Sequence, residues 1–223
     1  MIDIKRLKNA LPENPDILER QEYFNSSILI LLVYLDAEYH FILQKRKQEI
    51  RQGGEISFPG GGYDPKLDKN HLDTAIRETC EEIGICKSQI EILGNMGKLL
   101  SPLGVIIDAF VGLARIDSIS ELSPSEDEVE EIITIPVSYF INNQPEVYFV
   151  EVFAKSYKLN EQGKKTRLLP VKKLGLPDIY MDSWGGYKYK VYLYNNSKSV
   201  IWGITAKFIY NFINDYADLI QEN

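Results

Sequence analysis

Three glutamates, Glu78, Glu81 and Glu82, stand at i, i+3 and i+4. At about 100° per residue, that spacing puts them on one side of a single helical turn. Like charges so placed repel, each pair costing about 0.3 kcal/mol on an exposed helix. A cation held among them turns the repulsion into binding. Mg²⁺ takes oxygen ligands in octahedral geometry, keeps several waters and bridges to phosphates, and Mn²⁺ suits the same oxygen donors. Arg77, beside the acids, is placed to pair with one carboxylate and fix its orientation. A Glu-rich turn alone is most often a solvated face. Pro59-Gly60-Gly61-Gly62, upstream of the same helix, changes that balance, because a backbone without Cβ atoms lets an anion approach closely. Loop and helix together point to a metal-diphosphate site.

The rest of the chain must position that turn. Asn70 reads as the N-cap, with Asp73 three residues on, an arrangement like a capping box. Leu72, Ile76, Thr79 and Ile83 form the core-facing stripe, and Gly84 supplies the stop. Ahead of the helix, Ser27–Tyr34 is a continuous apolar run that predicts a buried strand. Asp36-Ala37-Glu38 turns the chain into a hairpin partner over Tyr39–Lys45. Arg46 to Gly54 is a charged loop. Glu55–Phe58 reads as a short strand, and Pro59–Gly62 as a turn only. Downstream, Ile90–Leu93, Val105–Ala114 and Ile132–Pro136 read as strands. Val147–Ala154 and Tyr187–Tyr194 read as a late hairpin around a polar segment containing Gly163-Lys164-Lys165. Val200 to Ile220 reads as an amphipathic helix bearing Trp202, Phe208, Phe212 and Tyr216. A short helix around Ile4–Ala10 precedes Pro12 and Pro15. Strands mixed with two substantial helices predict an α/β/α or α+β layered fold. Residues 1–24 form a polar lead-in, and residues 25–223 one domain with a late hairpin and a C-terminal helix.

Composition bounds the function classes. The 223 residues are 44% hydrophobic and 11% aromatic, enough for one packed core. A net charge of −7 argues against a general nucleic-acid-binding surface. Cys80 and Cys86 are the only cysteines, too close in sequence to staple distant elements, which suits a reduced, cytoplasmic setting. His40 and His71, the only histidines, leave little for a His-rich zinc site. The first residues carry no stretch of signal-peptide length, and Ile28–Tyr34 is too short to cross a bilayer, so no membrane association is expected.

Arg77-Glu78, Glu81-Glu82, Gly84 and Ile85 resemble the second half of the Nudix box, G-x5-E-x7-R-E-U-x-E-E-x-G-U with U apolar. Thr79 is its one imperfect apolar position. The first half departs: counting from Gly62, the family's glutamate is Asp68, and eight residues rather than seven precede Arg77. A second stretch, Leu43-x-x-Arg46 followed by Arg51-x-x-Gly54-Glu55-Ile56-Ser57-Phe58-Pro59-Gly60-Gly61, is similar to the signature of coenzyme A diphosphatases in that superfamily. Gln44 and Lys47 depart from it. Leu100–Leu103, Phe110–Gly112, Glu126–Val129 and Ile201–Ala206 are similar to later segments, so the likeness covers roughly residues 27–215.

The resemblance implies a Nudix-like α/β/α sandwich with a mixed sheet, and Mg²⁺- or Mn²⁺-dependent hydrolysis of coenzyme A or a derivative to 3′,5′-ADP and 4′-phosphopantetheine. It implies Glu78, Glu81 and Glu82 as metal ligands, the Gly61 carbonyl as a further candidate, and Gly60 and Gly61 against the substrate. A remote glutamate completes such sites, and both Glu128 and Glu131 match. Arg46, Lys47 and Arg51 form a basic cluster suited to the 3′-phosphate of coenzyme A, or equally a plain exposed loop. Cys80 reads as a small buried hydrophobe, the aromatics of the last helix as core or homodimer contact, and the late tyrosines as a half-buried sheet. Two competing readings share these features: an ADP-ribose or other nucleoside-diphosphate hydrolase, and a non-catalytic Nudix module that senses a ligand or binds a partner.

Overall fold

The computed structural model describes residues 3–13, 15–196 and 199–221. In chain order the elements are α1 (Ile4–Ala10), β1 (Phe24–Leu35), β2 (Glu38–Arg46), β3 (Ile56–Ser57), β4 (Gly60–Gly62), α2 (His71–Ile83), β5 (Ile90–Ser101), β6 (Val105–Ala114), β7 (Val129–Pro136), α3 (Val137–Asn142), β8 (Glu146–Lys155), β9 (Tyr157–Leu159), β10 (Lys165–Arg167), β11 (Ser183–Asn196), β12 (Ser199–Trp202) and α4 (Gly203–Gln221).

The main sheet runs β3-β2-β1-β6-β5, with β4 added to β1 and β7 to β2. Its one parallel pairing among the described residues, β1 with β6, runs from Phe24↔Val105 to Val33↔Ala114. Strand alternation splits the apolar residues of β1 and β2 between two cores. Leu29, Leu31, Val33 and Ile42 pack with Ala75, Ile83, Ile85 and Phe110 beneath α2. Ile30, Leu32, Phe41 and Leu43 pack with Phe140, Tyr194, Phe208, Ile209 and Phe212 from α3, β11 and α4. Phe41 sits edge-to-face with Phe58, Phe140 and Phe212, a geometry that adds to burial alone. The result is the expected α/β/α sandwich on a mixed sheet.

Three expectations are corrected. Gly60–Gly62 is a strand as well as a turn, because its backbone pairs antiparallel with β1 at Ser27↔Gly61. The last helix starts at Gly203, while Ser199–Trp202 is a strand on β11. Trp202 therefore lies off the helix and is 48% exposed, whereas Phe208 and Phe212 belong to the core. The strand expected over Ile90–Leu93 continues to Ser101, since β5 follows β6 along its whole length through two register irregularities. Val147–Ala154 and Tyr187–Tyr194 pair as expected, and the polar segment between them carries β9 and β10. Helix α3 was not foreseen.

Candidate active site

Helix α2 is fixed at both ends. The Asn70 side chain accepts from the Leu72 and Asp73 amides at 2.9 and 3.0 Å. Gly84 closes the helix at φ +69°, where an added Cβ would stand 2.1 Å from the Ser123 carbonyl oxygen. Thr79, in the apolar stripe, is fully buried because its hydroxyl donates to the Ala75 carbonyl at 2.6 Å. That anchoring leaves the other helix face, with Arg77 and the three glutamates, turned toward β4.

Arg77 is the hub of this face. Its Nε and Nη2 donate to the two oxygens of Asp68, each at 2.9 Å, and Nη2 also reaches the Gly62 carbonyl at 3.3 Å. Its Nη1 donates to Glu78 at 2.8 Å and to Glu81 at 3.0 Å. Asp68 is buried and accepts further from Thr74 Oγ1 at 2.9 Å and the Asp64 amide at 3.1 Å. The Arg77 hydrogen bonds outweigh burial and hold the Asp68 carboxyl down at about 2. Reciprocally, Asp68 and Glu78 push the Arg77 guanidinium up. Asp68 thus serves Arg77 from inside the lengthened loop.

The three helix acids occupy different environments. Glu81 is exposed at 59%. Glu78 lies against Gly61, where an added Cβ would meet its carboxyl carbon at 2.4 Å. Burial raises the Glu78 carboxyl, Arg77 opposes the rise, and the charges of Glu81 and Glu128 add to it. Glu82 is 2% exposed; the Gly60 amide donates to its Oε2 at 2.8 Å and Arg46 Nη1 to its Oε1 at 3.2 Å. Burial nevertheless raises Glu82 to about 7, against the Gly60 and Arg46 contributions. Beside it the buried Gln44 side chain also acts to hold the Glu82 carboxyl down.

Among the described residues no group of three or more His, Cys, Asp or Glu side chains is already gathered as a metal-holding set. Arg77 occupies Glu78 and Glu81, and Glu82 is turned under Gly60. The donors still fit a hard divalent cation: they are all oxygens, one positive nitrogen already bridges Glu78 and Glu81, and Gly61 leaves the space that a Cβ would fill.

Strand parity separates the remote glutamates. Ile132, opposite Gln44, packs in the core beneath α2, so Glu131, opposite Lys45, faces the other side of the sheet. Glu128 precedes β7, accepts the Lys47 amide on its carbonyl at 2.9 Å, and its charge acts on Glu78. Within the basic cluster, Arg46 is engaged with Glu82, and the Arg51 guanidinium lies 5.9 Å from the Phe24 ring centre. Cys80 is half-buried, and burial pushes its thiol up, away from nucleophile chemistry.

One cluster escaped the sequence reading. Asp108, buried in β6, pairs with Arg20 and with Lys98 Nζ at 3.0 Å, and stands 3.7 Å from His71 Nδ1. It ties the segment before β1 to the sheet and to the first residue of α2. A charged residue inside the apolar run Val105–Ala114 was the available signal. A concavity lined by Tyr34, Tyr39, Arg115 and Ile141 lies at the far end of β1 from the acids.

A profile of the NUDIX domain matches residues 26–150. The chain is 28% identical to the mouse peroxisomal coenzyme A diphosphatase NUDT7 over 145 residues, 63% of this chain and 59% of that protein's length. It is 26% identical to the Nudix hydrolase NudL of Photorhabdus laumondii over 208 residues, 93% of this chain and 92% of the relative. Among solved structures, the Caenorhabditis elegans Ap4A hydrolase binary complex superposes with a TM-score of 0.44 at 20% identity, over 52% of this chain and 83% of that one.

Proposed function

The chain belongs to the NUDIX domain family, whose profile spans more than half of it, and from that premise we propose that it hydrolyses the diphosphate of coenzyme A or an acyl derivative. Water adds to one phosphorus, the bridging P–O bond breaks, and the products are 3′,5′-ADP and 4′-phosphopantetheine or its acyl form. The observation that carries the hydrolytic reading is the Arg77 hub, which holds Glu78 and Glu81 together beside a strand of three glycines. The coenzyme A reading rests on the Arg46–Phe58 segment and on the mouse relative's named activity.

Bound Mg²⁺ or Mn²⁺, held by Glu78, Glu81 and Glu82 with the Gly61 carbonyl, would neutralise the diphosphate and lower the pKa of the attacking water. The chain's own residues do the positioning. Arg77, fixed by Asp68, sets the rotamers of Glu78 and Glu81. Gly60 and Gly61 let the backbone come close to phosphate oxygens. Glu128, whose charge acts on Glu78, is the carboxylate that would accept a proton, in preference to Glu131. Lys47 and Arg51 stand on the loop that would meet the 3′-phosphate, while Arg46 steadies Glu82.

Incubating the chain with coenzyme A, dephospho-coenzyme A or ADP-ribose, in Mg²⁺ or Mn²⁺ and with mass detection, tests this. Formation of 3′,5′-ADP, with turnover falling when the 3′-phosphate is absent, is expected. Cleavage of ADP-ribose in preference to coenzyme A would overturn the substrate, and no turnover of any of the three would overturn catalysis.

A further inference from the structure

The three-stranded sheet runs β12-β11-β8, so β8 is an edge strand. Its outward backbone groups meet no other strand among the described residues, and its side chains are uncovered on both faces. Val147, Tyr148, Phe149, Val150 and Phe153 are all 45–56% exposed. A long apolar edge with open N–H and C=O groups is a template for a further strand.

The sequence of the edge says which strand. Phe149-Val150-Glu151-Val152-Phe153 reads the same in both directions. An antiparallel partner related by a two-fold axis at Glu151 would therefore see the same pattern it presents, as an isologous contact requires. We propose that β8 pairs with β8 of a second copy of this chain in that register, joining two three-stranded sheets into one of six strands.

The cross-strand neighbours fit. Tyr189 lies opposite Val150 and Tyr187 opposite Val152. The join thus makes a continuous row of Tyr189, Val150, the partner's Val152 and the partner's Tyr187. Phe149 meets the partner's Phe153, whose own neighbour is Gly185, leaving room for the ring. The two Glu151 carboxylates face each other, each with Lys188 on its outer side, so the charges run plus, minus, minus, plus. Like charges directly opposed cost some affinity, which Lys188 offsets in part. Moving the axis to Val150 removes that pair but sets each Glu151 against a phenylalanine. For area, half of three aromatic side chains at ~150–250 Å² each gives roughly 300 Å² per copy. The valines and Tyr187 bring two copies to on the order of 1,000 Å², the lower bound for a specific interface.

Sedimentation equilibrium of the full chain tests the pairing. At about 100 µM, well above micromolar dissociation constants, the mass should approach twice the 25.6 kDa of one chain. Val150→Lys should raise the dissociation constant at least ~10-fold with an unchanged far-UV spectrum. Should that variant fail to fold, Tyr187→Lys, at a position 64% exposed, reads the same row. Glu151→Gln should tighten the dimer several-fold, since it removes the like-charge pair on the axis. A monomer at that concentration, a dimer indifferent to both lysine variants, or a Glu151→Gln variant that dissociates more readily would overturn the proposal.

Discussion

Replacing Glu82 with Gln should stabilise the fold and remove the activity together. The Glu82 carboxyl is 2% exposed and raised by burial from 4.5 to about 7. A folded-state value above the unfolded one means that the folded chain holds the proton more tightly. The group's favourable contribution is therefore complete below about pH 4.5 and is lost as pH rises through 7. The difference corresponds to about 3 kcal/mol at pH 8. Gln carries no such penalty, and the value of about 7 already includes the attraction of Arg46, so the expected gain at pH 8 is up to about 3 kcal/mol. Urea unfolding by far-UV circular dichroism, in chelator so that no cation offsets the charge, should show the variant more stable at pH 8 and level with the native chain at pH 4.5. Turnover in Mg²⁺ should fall by at least ~100-fold. A variant less stable at pH 8 with no dependence on pH would refute the burial argument. A variant still turning over at the native rate in Mg²⁺ would refute Glu82 as part of the machinery.

Asp68→Asn acts with the opposite sign. Asp68 is held at about 2 against an ordinary 3.8, so its contribution is present above 3.8 and fades as pH falls through 2. The carboxylate is sealed from water by its neighbours but lies near the surface, so screening leaves about 1–2 kcal/mol. Urea midpoints at pH 7 should show that loss, with the gap to the native chain closing toward pH 2; equal midpoints at pH 7 would dismiss the Arg77 pairing as a source of stability. Gly61→Ala tests the cradle. A Cβ 2.4 Å from the Glu78 carboxyl must displace it, so kcat should fall ~10- to 100-fold while the melting temperature hardly moves, and an unchanged kcat would count against Glu78.

What sequence reading captured here are features that side-chain periodicity writes locally. The stripe Leu72, Ile76, Thr79 and Ile83 sets the face of α2, Asn70 and Gly84 set its ends, and the acids follow away from it, with Glu82 at its buried margin. Strand β4 was missed because its pairing with β1 is made by backbone alone, and three glycines carry no alternation to betray it. The contact of Arg46 with Glu82 leaves no local trace, because the two lie 36 residues apart. Glu128 and Glu131 match the motif equally. Only the register of β7 on β2 turns Glu131 away from α2, while the charge of Glu128, just before that strand, acts on Glu78. Trp202 looked helical because its apolar neighbours continue the period of α4, and the pairing of Leu193 with Trp202 overrides that.

The departure of the loop from the family spacing also has a physical reading. An aspartate is one methylene shorter than the glutamate of the box, and the segment from it to Arg77 is one residue longer. The carboxylate nevertheless meets Nε and Nη2 of Arg77 in a two-pronged contact, the geometry that fixes a guanidinium most firmly. The extra residue is absorbed locally. The Asp64 carbonyl accepts the Leu67 and Asp68 amides, the Asp64 amide returns to the Asp68 carboxylate, and Thr74 reaches it from α2. What the site requires is a carboxylate at one point in space, from which Arg77 is aimed and, through Arg77, Glu78 and Glu81. Sequence spacing is one way of reaching that point, and a longer loop with a shorter acid is another. That is why the departing half of the motif and the intact half belong to the same working unit.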